Sequence, residues 1–144
     1  MKKVWFWETN ADGSLIITSY KGNEVKIAVP CKIDNKNVCE IGEEAFSAFS
    51  ERASKKIIDA RRKITEVTVP EGISIIGKNA FSGCIRLEKV VLPETINEID
   101  TTAFRRCAPG FKLVFPDSIT MIELIDAGHS VVVSVDKAKR FIGG

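Results

Sequence analysis

The sequence predicts an α/β solenoid, a short stack of about four turns whose strands run parallel. Three observations predict it. Pro70, Pro93 and Pro116 stand 23 residues apart. Apolar residues hold one phase to each proline: Val67, Val90 and Leu113 three before it, Val69, Leu92 and Phe115 one before, Ile73, Ile96 and Ile119 three after, Ile76, Ile99 and Ile122 six after. Further along, Ala80-Phe81 and Ala103-Phe104 recur at the same phase, followed by Cys84 and Cys107.

Each element follows from that phase. Val67-Thr68-Val69 and Val90-Val91-Leu92 alternate as strand residues do, and the proline, lacking an N–H, ends the strand. Glu71-Gly72, Glu94-Thr95 and Asp117-Ser118 form turns. The second apolar pair recrosses the core. Asp100 is placed to cap a short helical turn that points Ala103 and Phe104 inward, so the phenylalanines should stack into an internal spine. Pro30 opens a longer unit with Ile27 and Val29 as strand residues. Val38, Ile41-Gly42 and Ala45-Phe46 match after a five-residue shift within residues 31–37, and Phe49 occupies the cysteine position. Residues 47–62 are a second insertion and read as a longer helix. Asn10-Ala11-Asp12-Gly13 between Val4 to Trp7 and Leu15 to Thr18 predicts a capping β-hairpin. Asp126 and Ala127 replace the Ala-Phe pair of the last unit, and Val131, Val133 and Val135 alternate in a closing strand. The organisation expected is a cap at 1–23, a long first repeat with its inserted helix at 24–63, regular repeats at 64–86 and 87–109, and a degenerate repeat with C-terminal cap at 110–144.

The stretch ITEVTVPEGISIIGKNAFSGCIRLEKVVLPETINEIDTTAFRRC resembles the BspA-type leucine-rich repeat, whose loose pattern is a V-x-I-P strand, an apolar pair ending in Ile-Gly, and A-F-x-x-C. ITSYKGNEVKIAVPCKIDNKNVCEIGEEAF resembles the longer first repeat of such proteins, so the likeness spans roughly residues 15–123. It implies a leucine-rich-repeat solenoid and a binding role, since the family consists mostly of bacterial and protist surface or secreted binding proteins. Members are usually longer and exported, and the helix expected in residues 47–62 is no part of the repeat.

Composition narrows the function classes. A formal net charge of +2 argues neither for nor against nucleic acid. No apolar segment approaches the ~18 residues of a membrane span. Met1-Lys2-Lys3 looks like the start of a signal peptide, but the apolar run from Val4 ends at Glu8, so a cytoplasmic chain is expected. The cysteines Cys31, Cys39, Cys84 and Cys107 lack metal-ligand spacing, and His129 is the one histidine available. Cys84 and Cys107 should be buried core thiols, with Cys31 and Cys39 flanking the first insertion nearer the surface. Gly72 to Lys78 matches the start of a phosphate-binding loop, yet Asn79 stands where the metal-binding Ser or Thr belongs, and three isoleucines fill the interior. Glu43, Glu44, Glu51 and Asp59 make no carboxylate pair in a cleft. No cofactor, metal or catalytic residue is expected. Gly128-His129 reads as a polar turn, and the terminal Gly143-Gly144 as incidental.

The residues left for function face outward. Lys26, Glu66, Lys89 and Lys112 should form one row on the strands, and Ala28, Thr68, Val91 and Val114 the next. Small apolar residues in the second row suit a protein partner more than a phosphate backbone. Arg52, Lys55, Lys56, Arg61, Arg62 and Lys63 should give the inserted helix a basic face, with Ile57 and Ile58 turned to the solenoid. That face reads first as a solvated helix surface and next as a docking surface for an acidic protein. Nucleic acid is the lesser reading, because no aromatic interleaves the charges. The expected function is a non-enzymatic protein-binding module, a small intracellular inhibitor or adaptor, using Lys26, Glu66, Thr68, Lys89, Val91, Lys112 and Val114 with Arg52, Lys55 and Lys56. A fragment of a bacterial surface adhesin is the alternative.

Overall fold

A computed structural model describes residues 3–116 and, for the backbone, two later strands, Met121–Asp126 and His129–Ser134. The chain forms strands β1 (Trp5–Thr9), β2 (Leu15–Tyr20), β3 (Lys26–Ala28), β4 (Lys32–Ile33), β5 (Lys36–Ile41), helix α1 (Lys55–Arg61), then β6 (Glu66–Thr68), β7 (Ile75–Ile76), β8 (Lys89–Val91), β9 (Glu98–Asp100), β10 (Lys112–Val114), β11 (Met121–Asp126) and β12 (His129–Ser134).

The strand before each proline joins a four-stranded parallel sheet in the order β10-β8-β6-β3. The second apolar pair does more than recross the core. Its residues pair as β5, β7 and β9 in a second sheet ordered β1-β2-β5-β7-β9-β11-β12, with β4 on β5. Parallel pairing from β2 to β11 gives way to an antiparallel hairpin at each end. Both hairpins extend this sheet by an antiparallel strand, so β1 and β12 are its edges. Ile119 and Val135 lie outside the described residues, as do Asp117, Ser118, Ala127 and the final Gly-Gly, and the side chains of Ile122 and Asp126 are not described.

Between the sheets run the inward residues of the described turns. Val67, Ile73, Ile76, Phe81, Val90 and Ile99 have no exposed surface. The aromatic spine exists and is longer than the repeat implies. Phe46 stacks on Phe81 at 4.7 Å and Phe81 on Phe104 at 5.3 Å, and Tyr20 and Trp5 of the first hairpin and Phe111 extend the column. Backbone bonds bind the same edge: Tyr20 N to Ala45 O, Phe46 N to Ala80 O and Phe81 N to Ala103 O. After β9 the chain forms turns and no helix. Asp100 still takes the capping role, since its Oδ1 accepts from Thr102 N at 2.8 Å.

Both insertions take their own form. The first is a hairpin of β4 and β5 whose turn residues Asp34 and Asn35 have φ of 50° and 66°, as a two-residue turn of the primed type needs. The second corrects the long helix expected over residues 47–62, because α1 covers only Lys55–Arg61. Serine chemistry explains the difference. Ser47 Oγ accepts from Phe49 N and Ser50 Oγ from Arg52 N, local bonds that compete with the helix ladder. Ser54 then caps α1 by accepting from Ile57 N.

Candidate functional site

Register on the four-stranded sheet places Lys26, Glu66, Lys89 and Lys112 side by side, and Ala28, Thr68, Val91 and Val114 in the adjoining row. The inward neighbours Ile27, Val67, Val90 and Leu113 anchor these strands in the core, so the outward rows ride on a fixed backbone. Lys89 Nζ meets Glu66 Oε1 at 3.4 Å, which leaves Lys26 and Lys112 as the exposed charges of the row. Val114 is 39% exposed.

The inserted segment is less uniformly basic than its sequence implies. Lys55 and Lys56 are exposed on α1. Arg52 is not on the helix. It sits in the preceding turn, with Nε 3.3 Å from Glu44 Oε1 and a second bond from Nη2 to Glu43 O. Ile57 and Ile58 are half-buried, as a solenoid-facing pair should be. Arg61 leaves the basic face entirely, since it is 1% exposed.

Arg61 also corrects the expected place of Phe49. Cys84 Sγ donates to Phe46 O and Cys107 Sγ to Phe81 O, both at 3.3 Å. The same partner one turn earlier is Tyr20 O, and Arg61 reaches it with Nε and Nη2 at 3.2 and 3.0 Å. Arg61 also donates to Ser47 O and Ser19 Oγ. The insertion therefore returns an arginine, not a phenylalanine, to the cysteine column. Phe49 is displaced outward to 50% exposure, and the Arg106 guanidinium lies 5.4 Å from its ring centroid. That contact joins Phe49 to an arginine of a different turn and not to the charges of residues 52–63. A signal for Arg61 was present in the sequence, because it lies nine residues before Pro70, as Cys84 does before Pro93 and Cys107 before Pro116.

Burial and partners set the titrating groups. Desolvation first, and the neighbouring Cys107 second, push the Cys84 thiol far up, while burial takes Cys107 up to about 12. Burial lowers the Arg61 guanidinium to about 10, so it stays charged at neutral pH. Cys84 is fully buried, Cys107 and Cys39 are half-buried and Cys31 is exposed, all four as free thiols. On the second sheet a row that the sequence reading missed runs Ile16, Glu40, Ile75, Glu98. Burial, reinforced by the charge of Glu98, raises Glu40 above the usual carboxylate range. The glycine-rich stretch at 72–78 is a turn of the solenoid: Ile73 and Ile76 are core residues, and Gly77 N is committed to Ile41 O at 2.8 Å. Among the described residues no group of three His, Cys, Asp or Glu is arranged to hold a metal ion. None of the described helices is long and apolar enough to cross a membrane.

A two-sheet stack with a 23-residue period and an A-F-x-x-C turn defines a leucine-rich-repeat protein. The sequence pattern of the BspA type leucine rich repeat region matches residues 52–124 in six copies, and the chain belongs to that family. Its fold is similar to that of the leucine rich repeat protein of T. pallidum, with a TM-score of 0.69 and 26% identity over 85% of this chain and 51% of that one. A leucine rich cell surface protein of Faecalibacterium prausnitzii A2-165 gives 0.57 at 24% identity, over 83% of this chain and 31% of that one. A leucine-rich repeat protein of Bacteroides capillosus gives 0.50 at 19% identity, over 81% and 96%. The last two likenesses concern the fold alone. The chain spans about half the length of the T. pallidum protein. No curated protein matches it.

Proposed function

We propose that the chain is a non-catalytic module that binds a protein across the outward rows of its four-stranded sheet, and that it acts by occupancy, as an adaptor or an inhibitor. The observation that carries this reading is the pair of straight rows, Lys26, Glu66, Lys89, Lys112 and Ala28, Thr68, Val91, Val114, held in register. Repeat stacks use such surfaces, where outward residues vary while the core repeats. A backbone already ordered by its ladder loses little entropy on binding. Exposed Lys55 and Lys56 add charge that speeds encounter with an acidic partner. Arg52 contributes less to that charge, because Glu44 pairs with it. The test uses a photo-crosslinking residue placed at Val91, at Val114 or at the remote Lys36, in cells that express the chain. The first two positions should trap the same protein and Lys36 should not. With that protein purified, replacing Lys89, Val91, Lys112 and Val114 together should weaken binding at every salt concentration. Unchanged affinity in a folded quadruple variant defeats the reading.

A second reading has one observation in its favour, the partial span over longer relatives, one of them a cell surface protein. Here the same face belongs to one part of a larger surface protein. An antibody to this chain, applied to fractionated cells, decides between them: a band far above 15.9 kDa in the envelope fraction supports the second reading.

A further inference from the structure

The first hairpin and the second insertion, neither of them part of the regular repeat, meet over a cleft of about 240 Å³. Lys21, Arg52 and Arg61 line it with Ser19, Ser50 and Glu44, so three cations face one carboxylate. Arg61 forms the floor. All the bonds it donates end on neutral oxygens, those of Tyr20, Ser47 and Ser19. Glu44, the one carboxylate of the cleft, is bonded to Arg52 and Ser50 instead of to Arg61. A desolvated guanidinium with no carboxylate bonded to it is costly, and an anion in the cleft would relieve that cost. The donors for one are in place. Ser19 Oγ accepts from Arg61 Nη2 at 2.9 Å, which turns its own proton away from the guanidinium. Arg52 commits Nε and one Nη2 proton to Glu44 and Glu43 and keeps the rest of its fork. Lys21 Nζ lies 4.5 Å from the centroid of the Phe6 ring, which lines the same cleft.

We propose that this cleft binds a phosphoryl group, as inorganic phosphate or as the phosphomonoester of a larger molecule. The charge surplus of two selects a dianion over a carboxylate, and a phosphomonoester with its second pKa near about 6 is mostly dianionic at neutral pH. Guanidinium, ammonium and hydroxyl donors arriving from different directions suit three terminal oxygens better than a planar pair. Such a site gives the insertion a ligand of its own, independent of the sheet face.

The test is a titration of the folded chain with sodium phosphate against sodium chloride at matched ionic strength, followed by amide and arginine Nε–H NMR signals. Phosphate should give saturable shifts at Ser19, Lys21, Ser50 and Arg52 and at the Arg61 Nε–H, and chloride should not. Lys21→Gln and Arg52→Gln, both at exposed side chains, should each weaken binding by about tenfold or more, whereas Lys78→Ala should leave it unchanged. Parallel titrations with O-phosphoserine and a phosphoserine peptide identify the source: tighter binding of the peptide assigns the site to a larger molecule, and equal or weaker binding assigns it to the free ion. Non-saturable shifts, shifts matched by chloride, or affinity unchanged in both glutamine variants overturn the proposal.

Discussion

Arg61 is the residue at which the repeat departs from its own rule and still obeys its geometry. A guanidinium that satisfies two buried carbonyls cannot be shortened without leaving them unpaired, and each such loss costs about 1–3 kcal/mol. Arg61→Ala should therefore destabilise the fold by about 3 kcal/mol or more, and Arg61→Lys, which keeps charge and some donors, by less. Urea unfolding of both variants checks the order, and equal losses would contradict it. The thiols of the same column give a pH dependence with a fixed sign. An unfolded cysteine ionises near about 8.5, while burial holds Cys107 up to about 12 and Cys84 higher still. Between those values the unfolded chain has released protons that the folded chain keeps, so stability is full below the unfolded pKa and falls as pH rises. Each thiol contributes a slope of up to ~1.4 kcal/mol per pH unit. Arg61 acts in the opposite sense only above its lowered value of about 10, so the interval from roughly 8.5 to 10 isolates the thiols. Stability measured across it should fall less steeply in Cys84→Ala than in the parent, and parallel slopes would refute the assignment. Proline phase placed both cysteines in one column, but of the two expected to be buried only Cys84 is, and Cys107 is half-buried. It also marked Arg61, but a charged residue in a buried column runs against the usual partition of side chains.

At the scale of elements, legibility followed the range of the interactions. The strands before Pro70 and Pro93 were readable because alternation and a proline stop are local signals. The second sheet was not, since β7 spans only Ile75–Ile76 and exists through its neighbours β5 and β9. The helix was over-read because basic composition says little about where serines divert the backbone. Its true start makes a testable statement: Ser54→Ala should cost about 1 kcal/mol in urea unfolding, the usual worth of an N-cap, and an unchanged midpoint would show that the cap contributes nothing. Close stacking of turns gives another. A Cβ on Gly42 would stand 2.8 Å from Ile17 O, backbone that cannot step aside, and one on Gly77 would meet backbone at 3.2 Å. Gly42→Ala should therefore lower the melting temperature more than Gly77→Ala, and the reverse order would show that the first hairpin yields more readily than the regular turns. For the candidate site the limits were similar. Outward rows follow from strand phase, so Lys89, Val91, Lys112 and Val114 could be placed in advance. The cleft of Lys21, Arg52 and Arg61 joins segments some 30 to 40 residues apart, and no local pattern marks it.

For the whole molecule the aromatic column sets the behaviour. Each turn buries its inward residues against its neighbours and has no core of its own, the condition under which a short stack unfolds as one unit. The column ties the ends together, since Trp5 touches Tyr20 and Phe46 at one end and Phe104 touches Phe111 toward the other. Both tryptophans, Trp5 and Trp7, lie in β1, so their fluorescence reports on the first hairpin and the Phe46 turn it packs against, whereas far-ultraviolet circular dichroism reports on every sheet. Cooperative unfolding requires the two signals to share one midpoint in denaturant. It also requires a distant lesion to reach the tryptophans. Phe104→Ala removes a buried ring at a cost of about 3–5 kcal/mol, three steps along the column from Trp5 through Phe46 and Phe81. Fluorescence and circular dichroism midpoints should fall together and by the same amount, while the exposed Lys78→Ala should shift neither by more than about 0.5 kcal/mol. A tryptophan midpoint that stays in place while the dichroism midpoint falls would mean that the hairpin and first turn fold on their own, and the stack would then be two cooperative units instead of one.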